Sequence, residues 1–461
     1  MAHNILRKTS EIAVPVETLF SWHAGDGAIS RLTPPWAPIQ MKTRSGPGIK
    51  KGVKVVFRLK LFGIPMTWEA EHVEYKENRL FRDHQVRGPF KKWEHTHIFR
   101  SKHGLQDSKN SLMEDVVEFE LPFSFLSRPF YGLVKKELKR VFNYRHRILK
   151  YDLEHYFGKI RKKKILISGA SGTIGSALVP FLRTLGHEVI CLVRKNKPLS
   201  KDELFWDPSR GILDLESRSP FDVLINLNGV DISRGRWSDK QKKRIIDSRV
   251  VSTELLVKKM QSLTAKPGLF ISSSAIGFYG EGGDTVLTEE SCPGTSFISS
   301  VCRLWEKASE GALKVGIRTV QARTGIVLTP AGGALARMVM PFRAGLGVKL
   351  SHARQYMSWI TIDDLLSAFL FIIDNDNITG PVNLTCPNAV TNRVFSETLA
   401  AVFSKKVCFT MPGAAALLLW GEMAKETLLA SARVKPCKLL DSGFSFQHGD
   451  LFQALGDVLG R

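Results

Sequence analysis

Two hydrophobic rhythms divide the chain. Through the first 157 residues, apolar and polar positions alternate over short runs punctuated by glycine and proline, the pattern of half-buried antiparallel strands. The alternation predicts strands over residues 4–14, 53–61, 66–75, 80–86, 93–100 and 112–121. Two short helices are predicted after the first strand, over residues 16–23 and 29–32, closed by Pro34 and Pro35. A helical rhythm then runs from about residue 129 to 156, placing Phe130, Leu133, Val134, Leu138, Val141, Phe142, Ile148 and Leu149 on or near one face. One strand, two helices, a meander and a long final helix is the order of an α+β helix-grip arrangement. In it a curved sheet wraps the last helix and leaves an apolar tunnel between them.

From residue 164 the pattern changes to short continuous apolar runs alternating with amphipathic stretches, which predicts a Rossmann-like α/β, doubly wound parallel sheet. The runs are residues 164–168, 187–194, 221–229 and 269–275, with a helix over 176–185 after the first. The charged connector Gly158-Lys-Ile-Arg161-Lys-Lys-Lys164 has little to bury. The expected division is 1–158 for the helix-grip domain, 159–164 for a basic linker, 165–330 for the nucleotide-binding domain and 331–461 for a C-terminal substrate-side module. In that module a strand over 382–385 and a helix over 392–403 are expected, with Pro341, Gly345 and Gly347 as loop punctuation. Asp363 reads as the N-cap of an apolar helix over 365–373, and Trp359, Trp420 and Phe444 as core aromatics.

Composition narrows the class. A chain of 461 residues, 43% hydrophobic, holds two or three domains with sizeable cores. Its six cysteines are scattered without a C-x-x-C pair, which argues against a zinc or disulfide framework and fits a reducing cytoplasm. Residues 1–8 contain no apolar leader, and the apolar windows 365–373 and 413–421 fall short of the roughly 20 residues of a membrane span. A soluble, cytoplasmic protein is expected. The net charge of +22 is densest in the first third. It suits anionic partners such as nucleotides but equally a basic background. The basic helix face of Lys135, Lys136, Lys139, Arg140, Arg145, Arg147 and Lys150 reads as solvated, and no nucleic-acid partner is expected. His72, His84, His95 and His97 read as structural or surface residues, because no acid or cysteine nearby in sequence completes a ligand set. No metal is expected.

The chemistry concentrates in Ile165-Leu-Ile-Ser168-Gly169-Ala-Ser171-Gly172-Thr173-Ile174-Gly175. A strand ends in a G-x-x-G-x-x-G turn that opens a helix. Gly169 permits the turn, Gly172 lets backbone approach a diphosphate, and Gly175 lets helix pack on strand. The helix N-terminus offers unsatisfied N–H groups to the phosphates. At the end of the second strand, where an acid would grip the ribose of NAD(H), stand Arg194 and Lys195, which suit a 2′-phosphate. NADP(H) is therefore expected ahead of NAD(H). Asn228 and Gly229 follow the next strand and should pass beneath the cofactor, and Ser272, Ser273 and Ser274 bring hydroxyls to the carboxyl edge of the sheet.

Two resemblances add to this. Residues 1–157, through Arg31-Leu-Thr-Pro-Pro-Trp36 and Gly88-Pro-Phe-Lys-Lys-Trp93-Glu94-His95-Thr-His97, resemble the SRPBCC (START-like) superfamily and its cyclase/dehydrase-related members. That implies a pocket for a hydrophobic small molecule. Residues 163–461 resemble the extended short-chain dehydrogenase/reductases, and more closely their atypical "epimerase family protein" branch. The matching phrases are Ile225-Asn-Leu-Asn-Gly229, Arg236-Trp237-Ser238, Asp247-Ser-Arg249-Val-Val-Ser-Thr253, Ser274-Ala-Ile-Gly-Phe-Tyr279-Gly280, Cys302-Arg-Leu-Trp305-Glu306, Arg323-Thr-Gly-Ile-Val-Leu328, Gly332-Gly333 and Ser358-Trp359-Ile-Thr-Ile-Asp363-Asp364.

The second resemblance implies a catalytic serine at Ser274 and a Tyr-x-x-x-Lys pair on a following helix. Residues 280–355 hold no tyrosine, and Cys302 and Glu306 occupy the pair's positions. Arg249 stands where many relatives carry asparagine, and Tyr279 where the family lines its substrate. Three functions stay open. One is an NADP(H)-dependent reductase or epimerase acting on an unknown small molecule, hydrophobic ones included, using Ser274 with Tyr279, Glu306 or the substrate as proton donor. The others are a non-catalytic NADP(H) sensor or scaffold, and a hydrophobic-ligand carrier working through the N-terminal domain.

Overall fold

A computed structural model describes residues 4–37, 39–61, 63–102, 109–123, 126–195, 200–233, 235–350 and 353–461. Residues 1–3, part of the stretch read as lacking a leader, lie outside the described residues. The chain divides into two compact units. The first comprises Met1–Lys162, Pro180–Gly186 and Gly460, and the second Lys163–Val179, His187–Leu459 and Arg461.

The first unit is built on a seven-stranded antiparallel sheet. Its strands are β1 (Asn4–Ile12), β2 (Ile39–Arg44), β3 (Lys54–Leu61), β4 (Ile64–Lys76), β5 (Leu80–Arg87), β6 (Lys92–Ser101) and β7 (Ser111–Glu120), in the order β1-β7-β6-β5-β4-β3-β2. Helices α1 (Val16–Ala24) and α2 (Ala28–Arg31) follow β1, and α3 (Tyr131–His155) follows β7. Inward positions of the sheet, among them Phe81, Phe99 and Met113, pack with Leu19, Phe20 and Trp22 of α1 and with Ile148, Leu149 and Leu153 of α3.

Two expectations need correction here. β2 has no counterpart in the sequence reading, because it is an edge strand whose only large apolar residues, Ile39 and Met41, are half-buried. Phe130 and Leu133, placed on the apolar face, are exposed. Phe130 lies in a 3₁₀ turn before α3, and the buried stripe of the helix is carried by Phe142, Ile148, Leu149 and Leu153.

One ion pair ties α2 to α3. The Arg31 guanidinium grips Asp152 side-on, Nε to Oδ2 and Nη2 to Oδ1 at 2.9 Å each, with both side chains buried. The bidentate geometry satisfies both charges, and losing either partner strands the other away from water.

The second unit is a doubly wound α/β sheet. Its strands are β8 (Lys164–Ser168), β9 (Glu188–Val193), β10 (Glu203–Asp207), β11 (Ile212–Leu213), β12 (Val223–Asn226), β13 (Leu269–Ala275), β14 (Arg318–Thr324) and β15 (Gly380–Leu384). They lie in the order β11-β10-β9-β8-β12-β13-β14-β15, parallel except for the β10–β11 pairing. Helices α4 (Gly175–Thr184), α5 (Asp239–Ser262) and α6 (Phe297–Ser309) connect the strands. Strand order reverses between β8 and β12, and the crevice above such a switch point is where these sheets bind ligands. Among the described residues, no helix is long and apolar enough to cross a membrane.

Beyond β14 come α7 (Gly333–Arg343), α8 (Ile362–Asp374), α9 (Asn392–Val402) and α10 (Leu451–Leu459). Pro341, expected in a loop, sits in the last turn of α7. The N-cap of α8 is Thr361 rather than Asp363: its side chain accepts the Asp364 N–H at 3.0 Å, because the helix starts at Ile362 and carries Asp363 into its first turn. Asp364 also accepts the Gln447 N–H at 2.6 Å and meets His448 Nδ1 at 3.1 Å, while His448 Nε2 meets Asp457 at 3.0 Å. Burial opposes charge on this imidazole, but its hydrogen bonds to Asp364 and Asp457 outweigh that and raise it to about 9.

Two stability experiments follow. Arg31→Ala or Asp152→Ala should each cost about 3–5 kcal/mol in urea unfolding of the N-terminal unit, the range for breaking a buried pair. His448 has a folded pKa above its unfolded value near 6.5, so its contribution is complete below that value and disappears as pH rises through about 9. The melting temperature of the C-terminal unit should therefore fall between pH 7 and 10 by more in the native chain than in His448→Gln.

Candidate active site

The glycine turn after β8 has the shape its spacing predicts. Gly169 adopts φ 76°, and a Cβ there would lie 2.6 Å from the Leu227 carbonyl oxygen, so only glycine lets this turn pass the end of β12. At Gly175 a Cβ would lie 2.4 Å from Gly169 O, which explains how closely α4 packs on the turn. Gly172 differs. A Cβ there meets only Gly169 O, at 3.3 Å, and the rest of that side is open. Ser171 and Gly172 are exposed, and the backbone N–H groups of Ser171, Thr173 and Ile174 find no acceptor among the described residues. An open turn of free N–H groups at a helix N-terminus fits the diphosphate of a dinucleotide.

Neighbouring strands set the remaining expected cofactor residues on the same edge. Ser168 pairs with Leu192, so Arg194 and Lys195, both exposed, emerge beside the glycine turn. Ser168 also pairs with Asn226, which puts Asn228 and Gly229 on its other side. Asn226, without a role in the sequence reading, is a buried hub. Its Oδ1 accepts from Ser168 Oγ at 2.8 Å and Asn228 Nδ2 at 3.0 Å, and its Nδ2 donates to Thr253 Oγ1 at 2.8 Å. Arg249 donates to the Val230 carbonyl at 3.2 Å and lies across the Trp305 ring. The Gly332-Gly333 turn meets the glycine loop directly, since a Cβ at Gly332 would lie 2.3 Å from Thr173 Oγ1.

Ser274 belongs to a row that crosses three strands. In the parallel register Ser274 of β13 faces Arg323 of β14, which faces Asn383 of β15. Aligned residues of a parallel sheet share a face, so the three side chains stand together. Above them Glu306, from α6, accepts the Ser274 hydroxyl at 2.6 Å through Oε1. It also takes a two-pronged grip from Arg323, Nε to Oε1 and Nη2 to Oε2, both at 2.9 Å. Arg323 Nη1 donates to the Tyr279 hydroxyl at 3.0 Å, and that hydroxyl donates to Asn383 Oδ1 at 2.7 Å. The guanidinium lies 3.5 Å from the Phe278 ring centre. Burial works against this cation, but Glu306 more than compensates and raises Arg323 above its ordinary value.

The three expected catalytic residues therefore fall in one network, with different freedom. Ser274 and Glu306 touch. Tyr279 joins through Arg323, its hydroxyl engaged on both sides, and burial pushes its phenol upward. Cys302, one turn before Glu306 on α6, is buried, and burial together with the Glu306 carboxylate pushes its thiol up to about 12. It stands protonated at neutral pH and cannot replace a phenolate. Arg323, Asn383 and Glu289, whose Oε1 accepts the Asn383 N–H at 3.1 Å, were missed as site residues. Strand register reveals Arg323 and Asn383, while Glu289 comes in from a turn.

A cavity of about 360 Å³ at the opposite, amino edge of this sheet is lined by Lys163, Phe221, Asp222, Lys266 and Arg318. Arg318 is spent there on the carbonyls of Ile372, Asn375 and Ile378.

The first unit holds a second polar cluster, one the sequence reading dismissed. His95 and His97 on β6 do find acids, from β5 and β7. Asp115 lies 3.1 Å from His95 Nε2, 2.7 Å from His97 Nδ1 and 2.9 Å from His146 Nε2, and Asp83 faces the first two. Burial alone would raise Asp115, but His97, His146 and His95 hold it well below the carboxylate range. Burial lowers His95 and His97, and lowers His72 to about 4 and His23 to about 3, so these imidazoles are neutral at pH 7.

Comparison with known proteins bears on both units. Residues 165–384 match the NAD dependent epimerase/dehydratase family, and residues 411–458 match a domain of unknown function (DUF1731). The chain is 40% identical over 294 residues to epimerase family protein Mb2239 of Mycobacterium bovis, an alignment spanning 63% of this chain and 96% of that relative. A solved structure of the nucleoside-diphosphate sugar epimerase from Corynebacterium glutamicum is similar over 99% of this chain and 90% of its own, with TM-score 0.79 and 31% identity. The human epimerase family protein SDR39U1 (isoform 2), solved with NADPH, is similar over 64% of this chain and 98% of its own, with TM-score 0.58 and 27% identity.

The burial of Cys302 gives a direct check. At pH 8 a thiol reagent should modify the exposed Cys292 and Cys408 quickly. Peptide mapping should find Cys302 labelled only after denaturation.

Proposed function

The chain belongs to the NAD dependent epimerase/dehydratase family, and we propose that residues 165–461 bind NADP(H) and exchange hydride with a carbon bearing a hydroxyl or carbonyl in a small molecule. The observation that carries the catalytic part is the 2.6 Å hydrogen bond from Ser274 to Glu306 at the carboxyl edge of the sheet. The bound nicotinamide supplies the hydride acceptor or donor. The protein handles the proton. Because the Ser274 hydroxyl donates to Glu306, its lone pairs remain to accept the hydroxyl of a substrate. As that proton passes to Ser274 Oγ, the serine's own proton passes to Glu306 Oε1, and the reverse sequence delivers a proton to a carbonyl. Arg323 keeps Glu306 oriented, while Tyr279, engaged by Arg323 and Asn383, lines the site.

NADP(H) is preferred to NAD(H) in this reading because two exposed cations, Arg194 and Lys195, follow β9 where NAD enzymes place an acid. The NADPH in the human relative's structure supports the same choice. The name of the C. glutamicum relative supports a hydroxyl-rich small-molecule substrate. For residues 1–158 the reading is a hydrophobic-ligand module of the SRPBCC (START-like) type, supported by a cavity lined in part by Ile29, Leu32, Phe57 and Trp68. Residues 159–164 serve as linker, 165–330 as cofactor domain and 331–461 as substrate cover, in a cytoplasmic protein. One observation favours a second reading, an NADP(H) sensor without turnover: Arg323 occupies both oxygens of Glu306.

Fluorescence titration tests the cofactor. Arg194→Ser with Lys195→Ser should weaken NADPH by about 10–100-fold, the cost of one charged hydrogen bond, and leave NADH unchanged. Gly172→Asp should abolish both. Hydride transfer from 4-deuterated NADPH to a panel of carbonyl compounds separates the two readings. Catalysis predicts deuterated product and a loss of at least about 100-fold in Ser274→Ala. Tight NADPH binding with no transfer to any compound favours the sensor.

A further inference from the structure

We propose that the N-terminal unit binds a divalent transition-metal ion, of the zinc class, on Asp83, His95 and His97. The argument starts from the register of the sheet. Asp83 on β5 faces His95 on β6, and His97, two residues on and so on the same face, faces Asp115 on β7. Nδ1 of His95 lies 3.6 Å and Nε2 of His97 lies 4.0 Å from Asp83 Oδ1, and the three atoms all fall within 4.8 Å of one another.

Position then singles these atoms out. His95 Nε2 meets Asp115 Oδ1 at 3.1 Å and His97 Nδ1 lies 2.7 Å from the same oxygen, so each ring turns its other nitrogen toward Asp83. Two imidazole nitrogens and a carboxylate oxygen thus converge on one point. A metal-binding histidine typically turns its other ring nitrogen to a carboxylate, and here one buried carboxylate stands behind both. A tetrahedral ion about 2.1 Å from each ligand would space them about 3.4 Å apart, so Asp83 has to draw in from 3.6 and 4.0 Å.

The surroundings supply room and further polarity. The three residues line a cavity of about 140 Å³ together with His72, His23 and Arg145. Nδ1 of His72 and Nε2 of His23 are buried without a hydrogen-bond partner among the described residues. They add two unpartnered polar atoms to the wall of the same cavity. Two nitrogens and one carboxylate with open positions suit Zn²⁺, Co²⁺ or Fe²⁺ rather than Ca²⁺ or Mg²⁺.

The test uses the full chain, stripped with chelator and dialysed metal-free. Titration with Co²⁺, followed by its visible ligand-field absorption, should show one tight equivalent per chain that Zn²⁺ displaces. Asp115→Asn should weaken binding by about 10–100-fold, as for other outer partners, and Asp83→Asn or His97→Gln by more. The metal-free melting curves of the variants report whether each still folds. X-ray absorption of the Zn²⁺-loaded native chain, which needs no variant, should show two imidazoles in the first shell. Failure of the native chain to bind Co²⁺ or Zn²⁺, a shell without imidazole, or binding undiminished in folded Asp83→Asn and His97→Gln would each overturn the proposal.

Discussion

A buried guanidinium is the constraint around which the second unit is arranged. Arg323 stands on the next-to-last strand of a parallel sheet, with Ser274 on one side and Asn383 on the other. A charge in that position must be matched or the fold loses several kcal/mol. Glu306 from α6 matches it, the Tyr279 hydroxyl and the Glu289 carbonyl take Nη1, and the Phe278 ring covers its face. The position of α6 and of the turn after β13 are thus both tied to one side chain. Ser274 acquires its partner as a consequence, because the carboxylate that answers Arg323 also accepts the serine hydroxyl.

That arrangement explains how a chain without the usual Tyr-x-x-x-Lys pair keeps a defined site. In the pair's ordinary form a lysine lowers the pKa of a tyrosine. Here the helix positions carry Cys302 and Glu306, and the cation comes from a strand instead. The thiol, pushed up to about 12, is inert at neutral pH, so in the proposed reaction proton handling falls to the serine and the carboxylate. The first unit follows the same logic with the sign reversed. Asp115 is the buried charge, and three imidazoles from β6 and α3 answer it. Their approach to Asp115 is what turns the other ring nitrogens of His95 and His97 toward Asp83.

What could be read from the residues alone tracks how local the physics is. The glycine turn was legible because its constraints, a positive φ and two close backbone approaches, lie within a few residues of one another. The alternation that marks β4, β6 and β7 was legible because each strand buries one face against a core. β2 was not, since an edge strand buries too little for its pattern to register. Asp363 was misread as a cap because the helix start was set by Thr361, whose hydroxyl takes an N–H three residues on.

The sequence by itself determined most strands of the first unit and its long final helix, the glycine turn, the two cations after β9, and the absence of the tyrosine–lysine pair. Each depends on spacing along the chain. Tertiary structure alone decided which distant residues share a site: Arg323 with Glu306, Asn383 with Tyr279, and Asp83 and Asp115 with a histidine pair. The reason is register. Side chains meet across strands according to which residue faces which, and that alignment is settled by packing the whole sheet rather than by any segment of it.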